Sequence, residues 1–372
     1  MKYCTRCILP DTRPNLVLDG EGVCNACRAH ATKPLIDWVA REEAFRAVVE
    51  RAKRPTAGYD CVVPVSGGKD STWQVVKCLE YGLHPLAVTW RTPGRTAIGQ
   101  RNLDNLVDLG VDHIDYQINP RVEKIFMYRA LTKFGTTALP MHMALFNIPL
   151  GIAVRFKVPL VIWGENSAFE YGGDYDERKG FALDRAWVAK YGVTHGTTAE
   201  DWVSDELGRK DLTAYFGPSD EESESSGVLA VFLGYYFEWD PETTRRVAQE
   251  HGFEARTAGA RVGYWNYADI DDDFISVHHY LKWYKFGFTR LFDNLSVEIR
   301  NGRVTRDEAL SIVRKRGDQT PHEDIEKCCR FMGIGVEHFF ESIQGFRNRD
   351  IWEKRNGTWT IPDFIIPDWE WT

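Results

Sequence analysis

Six consecutive residues, Ser66-Gly67-Gly68-Lys69-Asp70-Ser71, combine types and spacing that specify chemistry. They follow an apolar run, Tyr59 to Val65, that reads as a buried strand, and they precede a helix-like stretch, Thr72 to Glu80, with Trp73, Val76 and Leu79 on one face. A paired-glycine turn between strand and helix makes an anion cradle. The glycines permit left-handed dihedrals and close backbone approach, so successive N–H groups converge on phosphate oxygens. The helix N-terminus adds unpaired donors and positive potential at the same point. Ser66 and Ser71 offer hydroxyls, and Asp70 is placed to hold a magnesium ion on the phosphates. The spacing is not that of the Walker loop, Gly-x-x-x-x-Gly-Lys-Ser/Thr.

Four cysteines form a second constellation. Cys4-x2-Cys7 and Cys24-x2-Cys27 are separated by sixteen residues, the pattern of a zinc ribbon. Two thiolates from each knuckle complete a tetrahedral, closed and therefore structural site. About thirty residues cannot bury enough surface to fold alone, so a metal staple has a physical purpose. A redox dithiol or a pair of disulfides are the alternatives, and a reducing compartment disfavours the latter. Cys61 and Cys78 fall inside the expected strand and helix, and Cys328-Cys329 on another helix, where they read as buried small hydrophobes.

The elements that must position these groups follow from periodicity. Residues 34–54 read as a linking helix, and strands are expected over residues 61–65, 85–90, 113–117 and 159–163. Helices are expected over residues 72–80, 99–109, 121–134 and 141–156. Such alternation implies parallel βαβ units with right-handed crossovers, an α/β doubly wound sheet. Ligands in such sheets sit at the carboxyl ends of the strands. Thr89-Trp90 and Gly164-Glu165 fall on that rim, the first pair to border a base and Glu165 to help hold magnesium. The acidic, serine-rich stretch over residues 219–227 reads as a flexible surface loop, and residues 228–236 as a further strand. Asp240-Pro241 starts a helix, as does the capping box Thr305-x-x-Glu308. Three units result: a knuckle over residues 1–33, a nucleotide-type domain over 34–290, and a C-terminal helical cap and tail over 291–372.

Composition narrows the class. No eighteen-residue apolar run and no basic-then-apolar leader is present, so a cytoplasmic chain with no membrane role is expected. A diffuse net charge of −8 disfavours a nucleic-acid footprint. Thirteen Trp and fifteen Tyr suit core packing and sugar contact alike.

The loop Ser66–Ser71 resembles the pyrophosphate loop, Ser-Gly-Gly-x-Asp-Ser, of the PP-loop ATP-pyrophosphatase superfamily, whose fold is of the adenine nucleotide alpha hydrolase-like type. The knuckle, the loop, Gly99 to Leu106, Gly110 to His113, Leu233 to Tyr236, Trp239-Asp240, His279 to Lys282, Lys285 to Arg290 and Glu298 to Gly302 together resemble the N-acetyl sugar amidotransferase family of surface-polysaccharide and flagellar-glycan biosynthesis. That resemblance implies conversion of an acetamido group on a sugar or sugar nucleotide to an acetamidino group with ATP and ammonia. It also implies that Ser66, Gly67, Gly68, Asp70 and Ser71 grip the nucleotide, with Lys69 in the loop's variable position. Asp70 would then hold magnesium, and Lys285 or Arg290 would neutralise developing charge. No cysteine stands in a glutaminase-like elbow and residue 2 is Lys, so ammonia is expected from a separate glutaminase, with a barrel-type subunit. A tRNA-modifying enzyme of the same superfamily and a catalytically dead zinc scaffold are the competing readings.

Overall fold

The computed structural model describes residues 1–54, 58–173, 187–188, 192–317 and 319–371. The chain opens with two short bridges, Tyr3 with Pro10 and Leu18 with Cys24, then α1 (Asn25–His30). Next come α2 (Trp38–Ala52), β1 (Cys61–Pro64), α3 (Lys69–Glu80), β2 (Pro85–Trp90), α4 (Ala97–Asp108) and β3 (Asp112–Tyr116). They are followed by α5 (Pro120–Phe134), α6 (Leu139–Phe156), β4 (Leu160–Trp163) and α7 (Ser167–Tyr171). Beyond residue 192 lie α8 (Asp220–Ser226), β5 (Leu229–Phe232), α9 (Leu233–Tyr236), α10 (Pro241–Glu250) and α11 (Asp273–Phe286). The C-terminal part holds α12 (Arg290–Arg300), α13 (Arg306–Arg316), α14 (His322–Met332), α15 (Val336–Gln344) and the hairpin β6 (Glu353–Arg355) and β7 (Thr358–Thr360).

The first five strands form one sheet in the order β3-β2-β1-β4-β5, every pair parallel. Strand order reverses between β1 and β4, and the crevice at that point is where such sheets bind ligands. Pleating sorts the β1 side chains. Cys61 and Val63 pack with Phe45 of α2, Trp73 of α3 and Leu103 of α4, while Val62 packs with Phe126 of α5 and Met143 of α6. Both faces are thus covered, and the inner strands β1, β2 and β4 are correspondingly rich in apolar residues, while the edge strand β3 is polar and partly exposed. Among the described residues α6 is long and apolar enough to span a membrane, but its apolar side chains, Ile148 and Ile152 among them, pack on the sheet.

A third core joins the two ends of the chain. Ile8 and Leu9 of the knuckle, both wholly buried, pack with Leu281 of α11, Leu291 and Leu295 of α12, Ile325 of α14 and Phe339 of α15. Each such aliphatic side chain contributes about 1.5–3 kcal/mol on burial.

Several boundaries differ from those the sequence predicts. The stretch 219–227 is not a flexible loop. Residues 220–226 are helical, because Ser219 accepts from the Glu222 amide, Glu222 accepts in return from the Ser219 amide, and three acids sit in the first turn. Gly227 closes that helix at φ +63°. The strand expected over residues 228–236 ends at Phe232; the chain then turns into α9, with Gly234 donating to the Gly164 carbonyl at 2.9 Å. The linking helix begins later, at Trp38, behind the cap Asp37. The tail carries a hairpin, with Asn356 and Gly357 both at positive φ in its turn.

Candidate active site

The loop follows β1 at the switch point, and its final turn is already α3, with Gly68 as N-cap. Gly67 stands at φ +89°, and a Cβ there would lie 2.4 Å from the Gly99 carbonyl oxygen. Gly99 is itself wedged, since its own Cβ would lie 2.7 Å from the Asp271 Cα. Three backbones far apart in sequence therefore meet where only glycine fits. The Ser71 hydroxyl accepts from the Ser66 amide at 2.9 Å, and the Ser66 hydroxyl accepts from the Gly68 amide at 3.4 Å. Within the loop, the buried Lys69 ammonium pairs with Asp70 Oδ2 at 2.5 Å and lies over the Trp239 ring. The Trp239 indole donates to Asp70 Oδ1 at 3.0 Å. With its side-chain amide turned so that oxygen and nitrogen both find partners, Gln74 bridges the two sides of the switch point, donating to the Asp70 carbonyl and accepting from the Gly164 amide.

A cavity of about 200 Å³ opens on the loop, lined by Ser66, Gly68, Asp70 and Ser71 on one side and by Glu165, Asp269, Asp271 and Arg290 on the other. Burial, with Asp70 nearby, pushes the Glu165 carboxyl up to about 7, and burial likewise raises Asp271. Asp269 goes the other way: against the cost of burial, Arg290 and His279 hold it well below the carboxylate range. The Arg290 Nε donates to Asp269 Oδ2 at 2.8 Å, and His279 lies 3.3 Å from the other oxygen.

The Glu165 shift sets a pH dependence. Its folded value of about 7 exceeds the ordinary 4.5, so the folded state binds more protons between those limits. Its contribution therefore turns unfavourable as pH rises through that window, and the penalty is complete above pH 7. Glu165→Gln is expected to stabilise the ligand-free protein at pH 8 by about 1–3 kcal/mol, reduced by the side chain's partial exposure, and to change little at pH 4. Urea unfolding at the two pH values measures it; equal midpoints at pH 8 would contradict the assignment.

A larger cavity, about 630 Å³, lies beside the first, and Tyr171 lines both. The knuckle supplies part of its wall through Arg13, Pro14 and Asn15, and α11 supplies His278, Leu281, Lys282 and Lys285. Behind the wall sits Asp293, wholly buried, with Arg13 Nε at 2.8 Å, Lys282 Nζ at 3.6 Å and Arg290 Nη1 at 3.9 Å. One carboxylate thus compensates cations of both cavities. Asp293→Asn is expected to cost about 3–5 kcal/mol, because the largely buried Arg13 and Lys282 lose their counter-charge while Arg290 keeps only Asp269. Denaturant midpoints on the purified variant test this, and a cost under about 1 kcal/mol would contradict it.

The rim residues expected from sequence separate on inspection. Ser66, Gly68, Lys69, Asp70, Ser71, Glu165 and Arg290 converge on the small cavity. Gly164 stands just behind, held by Gln74. Thr89 and Trp90 line neither cavity; Thr89 pairs with His113 at 2.9 Å and the Trp90 indole donates to Glu123 at 2.8 Å. Lys285 faces the larger cavity, where it donates to the Phe134 carbonyl at 3.0 Å. Asp269 and Asp271, unnoticed in the sequence, reach the loop because their segment is pinned along residues 94–96: Thr96 N–H donates to the Asp271 carbonyl and Asp273 N–H to that of Gly94. An acidic run just before an N-capped helix, Asp269 to Asp273, was the available signal.

At the opposite end of the knuckle the four cysteine ligand atoms lie within 4.8 Å of one another and all four residues are buried. The Cys4–Cys27 and Cys7–Cys24 sulfurs are 3.9 and 3.7 Å apart, close to the roughly 3.8 Å edge of a tetrahedral zinc–thiolate site. Amides of Cys24 and Cys27 donate to Cys4 and Cys24 sulfur at 3.2 and 3.3 Å, as outer-shell donors do. The donor set fits zinc. Among the described residues it is the one group of three or more His, Cys, Asp or Glu side chains assembled for a metal. The remaining cysteines, Cys61, Cys78, Cys328 and Cys329, are buried free thiols.

Residues 262–364 match the family model described as LPS biosynthesis protein WbpG-like, C-terminal domain. No curated protein gives a significant match to the sequence. Two similar solved structures are the NMN synthetase from Francisella tularensis and the NH3-dependent NAD synthetase from Campylobacter jejuni. The first is 14% identical, covers 60% of this chain and 98% of its own, and has a TM-score of 0.26. The second is 17% identical, covers 59% of this chain and 96% of its own, and has a TM-score of 0.28. At such scores the overlap is partial, and the fold description rests on the strand order.

Proposed function

We propose that this chain, with residues 262–364 matched to a lipopolysaccharide-biosynthesis domain, is an ATP-dependent amidotransferase acting on the acetamido group of an N-acetyl sugar. The observation that carries the reading is the Ser66–Ser71 loop, placed at the switch point of a parallel sheet and facing a cavity that also holds Arg290. Amide N–H groups of the loop and of the α3 N-terminus bind the β- and γ-phosphates. The acetamido oxygen attacks the α-phosphorus, the bond to the pyrophosphate oxygen breaks, and pyrophosphate leaves. Ammonia then adds to the resulting imidate carbon, and AMP departs carrying the former amide oxygen. The amidine takes the nitrogen. Positioning and charge stabilisation supply the catalysis; no covalent enzyme intermediate is required.

Each residue has a part. Arg290, held rigidly by Asp269, offsets charge on the departing pyrophosphate. Asp70, with Glu165 as a second carboxylate, is the residue to hold magnesium, which takes one or two protein carboxylates alongside phosphate oxygens. When bound, that ion would neutralise phosphate charge. A separate glutaminase, with a barrel-type subunit, supplies the ammonia; burial of all eight cysteines leaves no accessible thiol here for glutamine hydrolysis.

The test mixes purified protein, ATP, magnesium and ammonium chloride with a panel of acetamido sugars and sugar nucleotides. Pyrophosphate and AMP should appear together, and mass spectrometry should find one oxygen replaced by NH. ADP and orthophosphate as products would refute the reading. A sugar-independent product on tRNA would favour the competing one.

A further inference from the structure

We infer that the larger cavity is the acceptor site and that it selects an acceptor bearing an anionic group, a phosphate or a carboxylate. This deepens the reading above and rests on the Ser66–Ser71 loop being the nucleotide site. At about 630 Å³ the cavity has the size of a small-molecule site, whereas the 200 Å³ cleft on the loop suits phosphates. Tyr171 forms part of both, so an acceptor seated in the larger space presents its reactive amide next to the loop.

The charge of the lining decides the ligand class. Arg13, Lys282 and Lys285 line the cavity, and among the described residues no Asp or Glu does. Among the described residues Arg13 and Lys282 share one ion-pair partner, Asp293, which is buried behind them and also faces Arg290. Among the described residues Lys285 meets no carboxylate: its ammonium donates to the Phe134 carbonyl at 3.0 Å and lies 5.6 Å from the Phe286 ring centroid. Burial pushes Lys285 down to about 8, the behaviour of a cation awaiting a counter-ion. His278 and His195, both depressed by burial, stay uncharged at neutral pH and offer ring nitrogens to hydroxyl groups. Phe286 and Phe288 provide apolar contact. A wall with surplus positive charge and an apolar floor fits a ligand with a charged end and a sugar body.

The experiment is titration calorimetry on the full chain, with the α,β-methylene analogue of ATP filling the loop. Four probes are compared: N-acetylglucosamine, its 1-phosphate, UDP-N-acetylglucosamine and N-acetylglucosaminuronic acid. At least one anionic probe should bind about tenfold or more tightly than the neutral sugar, and the phosphate and carboxylate arms identify the group. Lys285→Glu should weaken that probe about tenfold or more, Lys285→Met somewhat less, with analogue affinity within about twofold of wild type. Equal binding of neutral and anionic probes, no binding of any anionic probe, or indifference to both Lys285 variants would each overturn the inference. Failure of the analogue itself to bind would strike the nucleotide reading instead, and this inference with it.

Discussion

Gly67→Ala should abolish pyrophosphate release, to below about one-hundredth of wild type, and lower stability by roughly 2–5 kcal/mol. Two costs add. An alanine at φ +89° pays about 1–2 kcal/mol for the left-handed backbone. Its methyl would also stand 2.4 Å from the Gly99 carbonyl oxygen, which is backbone and cannot rotate away. Gly99 has no retreat, because Asp271 lies directly behind it and is hydrogen-bonded to Thr96. Gly68→Ala is the matched control. Gly68 has φ −82°, and its added methyl would meet only the Ser66 hydroxyl at 3.4 Å and the Asp271 carboxylate at 3.8 Å. It should fold within about 1 kcal/mol of wild type while narrowing the phosphate cradle. Thermal unfolding and coupled pyrophosphate detection on both variants decide the matter. Wild-type behaviour of Gly67→Ala would mean that the loop is not built as described.

Cys24→Ser should release the metal and unfold more than the knuckle. The four thiols converge on one point, and closed tetrahedral sites of this kind contribute several kcal/mol or more to folding. A whole domain is stable by only about 5–15 kcal/mol. Ile8, Leu9 and Leu16 of the knuckle pack into the same core as α11 to α15, so the loss should spread to the C-terminal helices. Bound zinc per chain is expected to fall from roughly one to near zero, with a fall in the melting temperature on the order of 10 °C. Cys78→Ala, at a buried thiol away from the cluster, should leave zinc content unchanged. Zinc retained in full by Cys24→Ser would sink the assignment.

Legibility of the site tracked distance along the chain. The loop and the knuckle are compact in sequence, so spacing alone exposes them. The parallel sheet was readable because its buried strands are continuous apolar runs. Residues brought in from far away left no such trace. Arg13 reaches the larger cavity from within the knuckle, held by Asp293 and the Tyr171 carbonyl. Asp271 reaches the loop across about two hundred residues of sequence. Rim position also proved weaker than side-chain direction: Thr89 and Trp90 end β2 as expected, yet bond to His113 and Glu123. Lys285 and Arg290 parted for a local reason. Gly287, at φ +70°, ends α11 between them, so the two side chains leave from different helices. The acidic stretch at 219–226 was misread from composition, which conceals a capping box whose reciprocal bonds are enough to start a helical turn.

The shared core of the chain's two ends bears on how the protein is made. Ile8, Leu9 and the cysteines leave the ribosome ahead of α11 to α15, which complete their burial. At 5–20 residues per second, the wait lasts on the order of tens of seconds. Throughout that interval four thiols and several aliphatic side chains stand in water with their partners not yet synthesised. Early capture of an ion by the nascent chain would shield those sulfurs from oxidation, so growth under metal limitation should show up first as poor yield of this protein, before any effect on its turnover.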